Sequence, residues 1–253
     1  MKLHFRNLTG IIWEHKLPAT GNHNQETHVW LHTIHFDDPF LKEAPYLLST
    51  DEVARASRYH FEKDRRVYEA GHVLIRKILA HYTAKEASLL ELTPIVNRKP
   101  ELLNSPFSIH FNISHSGNKI LVAVSFLSDV GVDVEKIIPD FDIDGFAEAN
   151  YHAHEVEQLG KLSDAEETDY FYRIWTRKEA WLKLTGEGVN DKLKELDFSG
   201  KDSKTAMPAH GHHELYMTSW KETSDYMITI ATYTDPKHYH FYNSEILIPE
   251  SIF

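Results

Sequence analysis

The sequence contains no cysteine in its 253 residues. That absence excludes a disulfide framework and a thiolate nucleophile, and it leaves oxygen and imidazole as the donors for any metal. No run of 18 apolar residues occurs, so no membrane-spanning helix is expected. The first residues, MKLHFRNLTGIIWEHK, carry charges and histidines where a signal peptide needs an unbroken apolar stretch. A cytoplasmic protein with no membrane partner is therefore expected. Positive charge is also scarce: 27 Lys and Arg stand against 38 Asp and Glu, a net charge of -11. Duplex nucleic acid is thereby excluded as the main partner, because phosphate binding rests largely on Lys and Arg. Low-hydrophobicity segments are lacking too. Hydrophobic residues make up 42% and aromatics run from Trp13 to Phe253, so order is expected almost throughout, around one large core or two small ones.

Helical and strand periods alternate along the chain. Residues 28–36 alternate as a strand, and Ser49 with Glu52 has capping-box spacing in front of a first helix. Val67, Gly71, Leu74, Ile75, Ile78, Leu79 and Tyr82 recur at helical intervals and predict a long amphipathic helix. Thr83 and Glu86 make a second candidate capping box. Segments 107–114 and 119–127 read as a β-hairpin turned by SHSGN, and VGVDVE follows as a third strand. Helices are then expected over about 145–159 and 163–185, and strands near 214–221 and 226–233. Helices followed by an antiparallel meander thus occur twice. The predicted fold class is α+β, built as two similar halves, 1–128 and 129–253, each with helices packed on a small antiparallel sheet.

Three features carry chemistry. Asp133 and Glu135 are two apart on a predicted strand, so both side chains leave one face, roughly 7 Å apart. Such a pair suits either a bound cation or a solvent-facing strand end. Glu179 and Lys183 lie one helical turn apart with Lys178 beside them, a spacing that also fits an ordinary surface ion pair. From Arg55 to Lys77 the chain has seven basic residues against Glu62, Asp64 and Glu69, which suits a small polyanion or a solvated mixed helix face. Among the 18 histidines the tract HGHH at 210–213 reads as a surface loop rather than a zinc site, since no carboxylate cluster or helical spacing supports it.

The order GVDVEKI, then about 40 residues, then WTRKEAWLK resembles the paired signature of the 4'-phosphopantetheinyl transferase superfamily. FNISHSG at 111–117, RKP at 98–100 and DRRVYEAGHVLIRKIL from Asp64 resemble further segments of its larger, surfactin-synthetase-type members, so the likeness covers about residues 50–190. The resemblance implies a pseudo-dimeric fold with the active site in the cleft between the halves, acting as a monomer. It implies Mg²⁺ on Asp133, Glu135 and Glu179 against the diphosphate of coenzyme A, with Lys183 and Lys178 as charges on that diphosphate. Ser114, His115 and Lys99 would contact the nucleotide and its phosphates, and Arg55 and Arg65 the 3'-phosphate. Arg98 stands where glycine is usual in that family. The implied reaction moves phosphopantetheine from coenzyme A to a serine of an acidic apo carrier protein, acyl or peptidyl, in fatty-acid, polyketide or nonribosomal-peptide biosynthesis. It releases 3',5'-ADP, with Glu179 and Lys183 as the catalytic pair. Three carboxylates and no cysteine match the oxygen preference of Mg²⁺. The same residues also sketch a Mg²⁺-dependent nuclease or phosphodiesterase, but Lys183 lies four residues after Glu179 rather than two, and the net charge is wrong for DNA. A carrier-binding module without catalysis would not need all three carboxylates.

Overall fold

The computed structural model describes residues 2–93, 99–187, 191–200 and 214–248. Two compact units emerge. One comprises Met1–Ile11 with Ser128–Asp235, and the other Ile12–Leu127 with Pro236–Phe253. The chain changes unit after Ile11, after Leu127 and after Asp235. The first strand belongs with the second half, and the last strand with the first.

In the first of these units, β5 (Val130–Lys136) and β7 (Tyr226–Thr232) pair antiparallel, as do β7 and β6 (Glu214–Glu222). β1 (Lys2–Asn7) lies parallel to β6, giving the order β1-β6-β7-β5. The predicted helical stretch 145–159 is two helices, α4 (Ile143–Asn150) and α5 (Ala153–Leu159). His152 caps α5 with Glu155 in reciprocal capping-box bonds, which is why the chain turns between them. α6 (Asp164–Thr185) is capped by Ser163 and Glu166, and ends at Gly186, whose φ of 74° suits a residue with no side chain. Phe171, Ile174, Trp181 and Leu184 of α6 bury against Leu215, Met217 and Ala231 in one core.

In the other unit the sheet order is β3-β4-β2-β8. β3 (His110–Ser116), β4 (Lys119–Ser125) and β2 (Glu26–Thr33) are antiparallel neighbours, and β8 (His238–Asn243) joins β2 in parallel. The expected hairpin is present, but its turn is only Gly117 and Asn118. Gly117 has φ of 61°, and Ser114 and His115 lie inside β3 rather than in the turn. β5, expected to continue this hairpin, pairs in the other sheet. α3 (Glu62–Thr83) packs against this sheet, burying Val67, Leu74, Ile75 and Ile78, with α1 (Pro39–Leu47) in the same core and α2 (Thr50–Ala56) against α3. The Thr83/Glu86 capping box does not form. Thr83 instead ends α3, with its hydroxyl bonded back to the Leu79 carbonyl, and Ala84 takes the left-handed conformation.

Glu52 shows why α2 and α3 stay together. Its Oε2 accepts from the Ser49 backbone at 2.7 Å as the capping-box partner, and from Arg76 Nε at 2.9 Å. Oε1 lies 2.9 Å from His72 Nδ1. Burial would raise this carboxyl, but His72, Arg76 and Ser49 bring it down to about 2. Removing one member of such a buried group leaves its partners unpaired, a loss of about 3 kcal/mol. Glu52→Gln is therefore expected to lower stability by about 3 kcal/mol in urea unfolding at pH 7. A lowered pKa contributes stability that is present above the unfolded value and lost as pH falls. The gap between the two proteins should narrow between pH 4.5 and 2, and a constant gap would contradict the assignment.

Candidate active site

The alternation of β5 puts Val130, Val132 and Val134 on one face and Gly131, Asp133 and Glu135 on the other. All three valines are fully buried. Over the second face lies α6. A Cβ built on Gly131 would overlap the Ala180 carbonyl oxygen and the Leu184 backbone and Cβ, so helix and strand touch backbone to backbone there. Ala180 and Leu184 immediately follow Glu179 and Lys183 in sequence. The close approach at Gly131 therefore carries the two α6 candidates alongside the two β5 candidates.

Within this arrangement Lys183 Nζ donates to Asp133 Oδ1 at 2.6 Å. Asp133 is buried, with 2% of its surface exposed, while Glu135 and Glu179 are half-buried. Burial pushes the Glu179 carboxyl up, the charge of Asp133 pushes it further, and Lys183 opposes both. Burial raises the Tyr172 hydroxyl, the hydrogen bond that it accepts from Ile138 N at 2.9 Å lowers it, and the charge of Glu135 adds a smaller push upward. Asp133, Glu179 and Lys183 thus share a small region in which burial and like charge hold the Glu179 carboxylate at a disadvantage, with Glu135 on the same face of β5. Oxygen donors that repel one another fit a hard divalent cation such as Mg²⁺.

Beneath α6 runs a chain of hydroxyls that sequence reading did not single out. Thr229, the β7 partner of Asp133, lies 2.8 Å from the Thr176 hydroxyl and 2.9 Å from that of Ser219. The register of β6 and β7 pairs Ser219 with Thr229, and the packing of α6 on the sheet adds Thr176, so nothing in their spacing marks them.

Lys178 requires a correction. It is fully buried, and its ammonium is held by Glu155 Oε2 at 2.8 Å and by the carbonyls of Leu193 and Leu196 at 2.7 and 2.8 Å. All three of its donors are used, so it does not reach a diphosphate. It ties residues 193–196 to α6 instead. Burial pushes this amine down and the Glu155 carboxyl up, each opposed by attraction to the other.

The remaining candidates lie in the other unit. Ser114 is buried on β3 and His115 exposed beside it, while Lys99 is half-buried. Arg55 on α2 lines a cavity of about 700 Å³ with Arg58, Tyr68 and His72. Arg65 on α3 bonds to Glu62 at 2.6 and 2.9 Å and to Glu69 at 3.0 Å, the mixed-charge helix face that its sequence neighbours allow. Arg98 and the HGHH tract lie outside the described residues.

Sequence comparison places the chain in a known class. Residues 129–231 match the model of the 4'-phosphopantetheinyl transferase superfamily, and residues 38–127 that of a 4'-phosphopantetheinyl transferase N-terminal region. The 4'-phosphopantetheinyl transferase HetI of Nostoc is 34% identical over 190 residues, 74% of this chain and 79% of the relative. The 4'-phosphopantetheinyl transferase psf-1 of Bacillus pumilus is 36% identical, over 59% of this chain and 62% of the relative. The 4'-phosphopantetheinyl transferase Sfp of Bacillus subtilis is 27% identical, over 79% and 91%. The chain belongs to the 4'-phosphopantetheinyl transferase superfamily, and it is an enzyme of that transferase class. Among the described residues no helix is long and apolar enough to cross a membrane.

Two outcomes test this geometry. Gly131→Ala must displace α6 or β5, and is expected to lower stability by about 1–3 kcal/mol, the range for overpacking, with larger loss for Gly131→Val. A raised carboxyl contributes stability below its unfolded pKa that disappears as pH rises through the folded value. Glu179→Gln should therefore raise the melting temperature at pH 8 in EDTA and leave it unchanged at pH 4. Equal melting temperatures at pH 8 would remove the repulsion between Asp133 and Glu179.

Proposed function

We propose that this transferase moves the 4'-phosphopantetheine arm of coenzyme A to a serine hydroxyl of an acidic apo carrier protein, releasing 3',5'-ADP. The observation that carries the reading is the placement of Asp133 and Glu135 on one face of β5 under the Glu179 and Lys183 turn of α6. Asp133, Glu135 and Glu179 would hold Mg²⁺, which would neutralise diphosphate charge when bound. Lys183, now bonded to Asp133, is the mobile positive charge that meets the diphosphate. The serine oxygen forms a bond to the β-phosphorus, the bond from that phosphorus to the bridging oxygen breaks, and the bisphosphate leaves with the electron pair. Glu179 takes the serine proton. It does so directly or through a water that it orients, since a carboxylate that also holds the cation keeps little free basicity. Recognition of the nucleotide is assigned to Lys99, Ser114, His115 and Arg55.

Intact-mass analysis of apo carrier proteins incubated with the enzyme, coenzyme A and Mg²⁺ tests the reaction, with one phosphopantetheine gained per carrier expected. Asp133→Ala and Glu179→Gln should each lower the rate about 10²- to 10³-fold, equivalent to about 3–4 kcal/mol of transition-state stabilisation. Glu157→Gln, on an exposed pair with Lys161, should leave it unchanged. Near-normal transfer by both site variants would sink the metal and base assignments. Dephospho-coenzyme A should bind about 1–3 kcal/mol more weakly than coenzyme A by calorimetry, the loss expected for charge-assisted bonds to the 3'-phosphate. Equal affinity would remove Arg55 and Lys99 from that role.

A further inference from the structure

A second cluster of metal-ligating side chains lies in the unit that holds β2, apart from the carboxylates of β5. Glu26 and His28 leave the same face of β2 because they are two residues apart. Parallel pairing sets His240 of β8 directly opposite His28, and His23 closes the group from the segment before β2. His23 Nδ1 lies 3.0 Å and His28 Nε2 2.9 Å from the same oxygen, Glu26 Oε2. Ligand atoms of the three residues all fall within 4.8 Å of one another. His240 Nε2 is 4.0 Å from the other carboxylate oxygen. A tetrahedral zinc ion with bonds near 2.0–2.1 Å has edges of about 3.3 Å, so modest side-chain rotation brings this set to ligating distances.

The far nitrogens of the three rings are each anchored. His23 Nε2 lies 2.8 Å from the Ala19 carbonyl, His28 Nδ1 2.6 Å from the Tyr82 hydroxyl, and His240 Nδ1 3.2 Å from Glu14 Oε1. Metal-ligating histidines are oriented by such partners, a carbonyl, a hydroxyl or a carboxylate on the second ring nitrogen. The His23 contact is the most restrictive. A carbonyl only accepts, so Nε2 must carry the hydrogen, and in the neutral ring Nδ1 is then a bare lone pair. That lone pair faces a carboxylate oxygen at 3.0 Å, an arrangement that requires a cation between them. A second proton on His23 would serve one ring. A metal ion serves His23, His28 and Glu26 together. The Tyr82 oxygen can accept from His28 Nδ1 or donate to it, so the His28 tautomer with a free Nε2 is available.

We propose that this unit carries a second metal site, for a divalent cation of the zinc class, on His23 Nδ1, Glu26 and His28 Nε2, with His240 as the fourth ligand. Imidazole-dominated donors select zinc over magnesium, whereas the carboxylates of β5 select the reverse. The metal clips the chain before β2 onto β2 and β8. Its role is structural and separate from transfer.

The test is zinc titration of the EDTA-treated full-length chain by calorimetry with excess Mg²⁺ present, followed by metal analysis after dialysis. One Zn²⁺ per chain is expected, with a rise in melting temperature. His23→Ala, His240→Ala and Glu26→Gln should each weaken zinc affinity by at least 10- to 100-fold, the range for losing an oriented ligand. His23 and His240 are partly exposed, so both variants should fold, and the far-ultraviolet spectrum checks this. Asp133→Ala should still bind one zinc, as should the triple variant replacing His210, His212 and His213 by Ala. Absence of micromolar zinc binding would overturn the site. Undiminished binding in His23→Ala and His240→Ala, or loss of binding in the triple variant or in Asp133→Ala, would also overturn it.

Discussion

Helix α6 can lie against β5 only because residue 131 has no side chain. Backbone contact between Gly131 and the Ala180 and Leu184 turn fixes the height, rotation and register of the helix over the strand at once. Rotation decides which α6 side chains look toward Asp133, and register decides which reach it. Any Cβ at 131 would act on both, so one glycine positions two residues 48 and 52 further along the chain. The long-range consequence arises because interiors are packed to high density and transmit local displacement.

Helical geometry then divides two neighbouring lysines between different tasks. Lys178 and Lys183 are five residues apart, more than one turn, so they project in different directions. Lys178 enters the core, where Glu155 and two carbonyls use all its donors, and Tyr151 and Phe198 rings lie 5.5 and 5.6 Å from its ammonium. Lys183 stays at the edge and meets Asp133. Glu155 completes the logic: one carboxylate caps α5 through His152 N, receives Phe198 N at 2.6 Å, and neutralises Lys178. A motif with two lysines therefore contains one cation used up inside the core and one held at the edge beside Asp133. Burying an ion pair is costly unless every polar atom is bonded, and here each is.

Much of this was legible in the sequence, and the misses have specific causes. The period of α3 and of α6, the Ser49/Glu52 cap and the pairing of β6 with β7 follow from local pattern. β5 was legible as a strand, but its partner was not, since a strand directly after a hairpin has no local signal for joining another sheet. β1 and β8 were missed because parallel edge strands depend on chain ends brought from far away. Asp133, Glu135, Glu179 and Lys183 stood out by residue type and spacing, but spacing alone also fitted a solvent-facing strand end and a surface ion pair, and it was the resemblance to the transferase family that joined them. Lys178 could not be assigned correctly, because its fate depends on where Leu193 and Leu196 present their carbonyls. The Ser219 and Thr229 hydroxyls are joined by strand register and that of Thr176 by the packing of α6 on the sheet, which no linear pattern records.

The two sheets repeat one plan. Each has a parallel strand at one edge, then three antiparallel strands, β8-β2-β4-β3 in one unit and β1-β6-β7-β5 in the other. Each also carries a helix of 22 residues, α3 or α6. In this scheme β3 and β5 occupy the same place, the edge away from the parallel strand. Those are the strands on which the candidate polar residues fall: Ser114 and His115 on β3, Asp133 and Glu135 on β5. The coincidence has a physical basis. β7, paired on both sides, is buried at every residue, and β4 at all but its first, so a charged group there would meet the cost of burial without access to a ligand. An edge strand has one neighbour, and its burial falls away along its length, as it does from Val134 through Glu135 to Lys136. A half-buried end of an edge strand is therefore the position where a carboxylate is both held by the core and open to a cation.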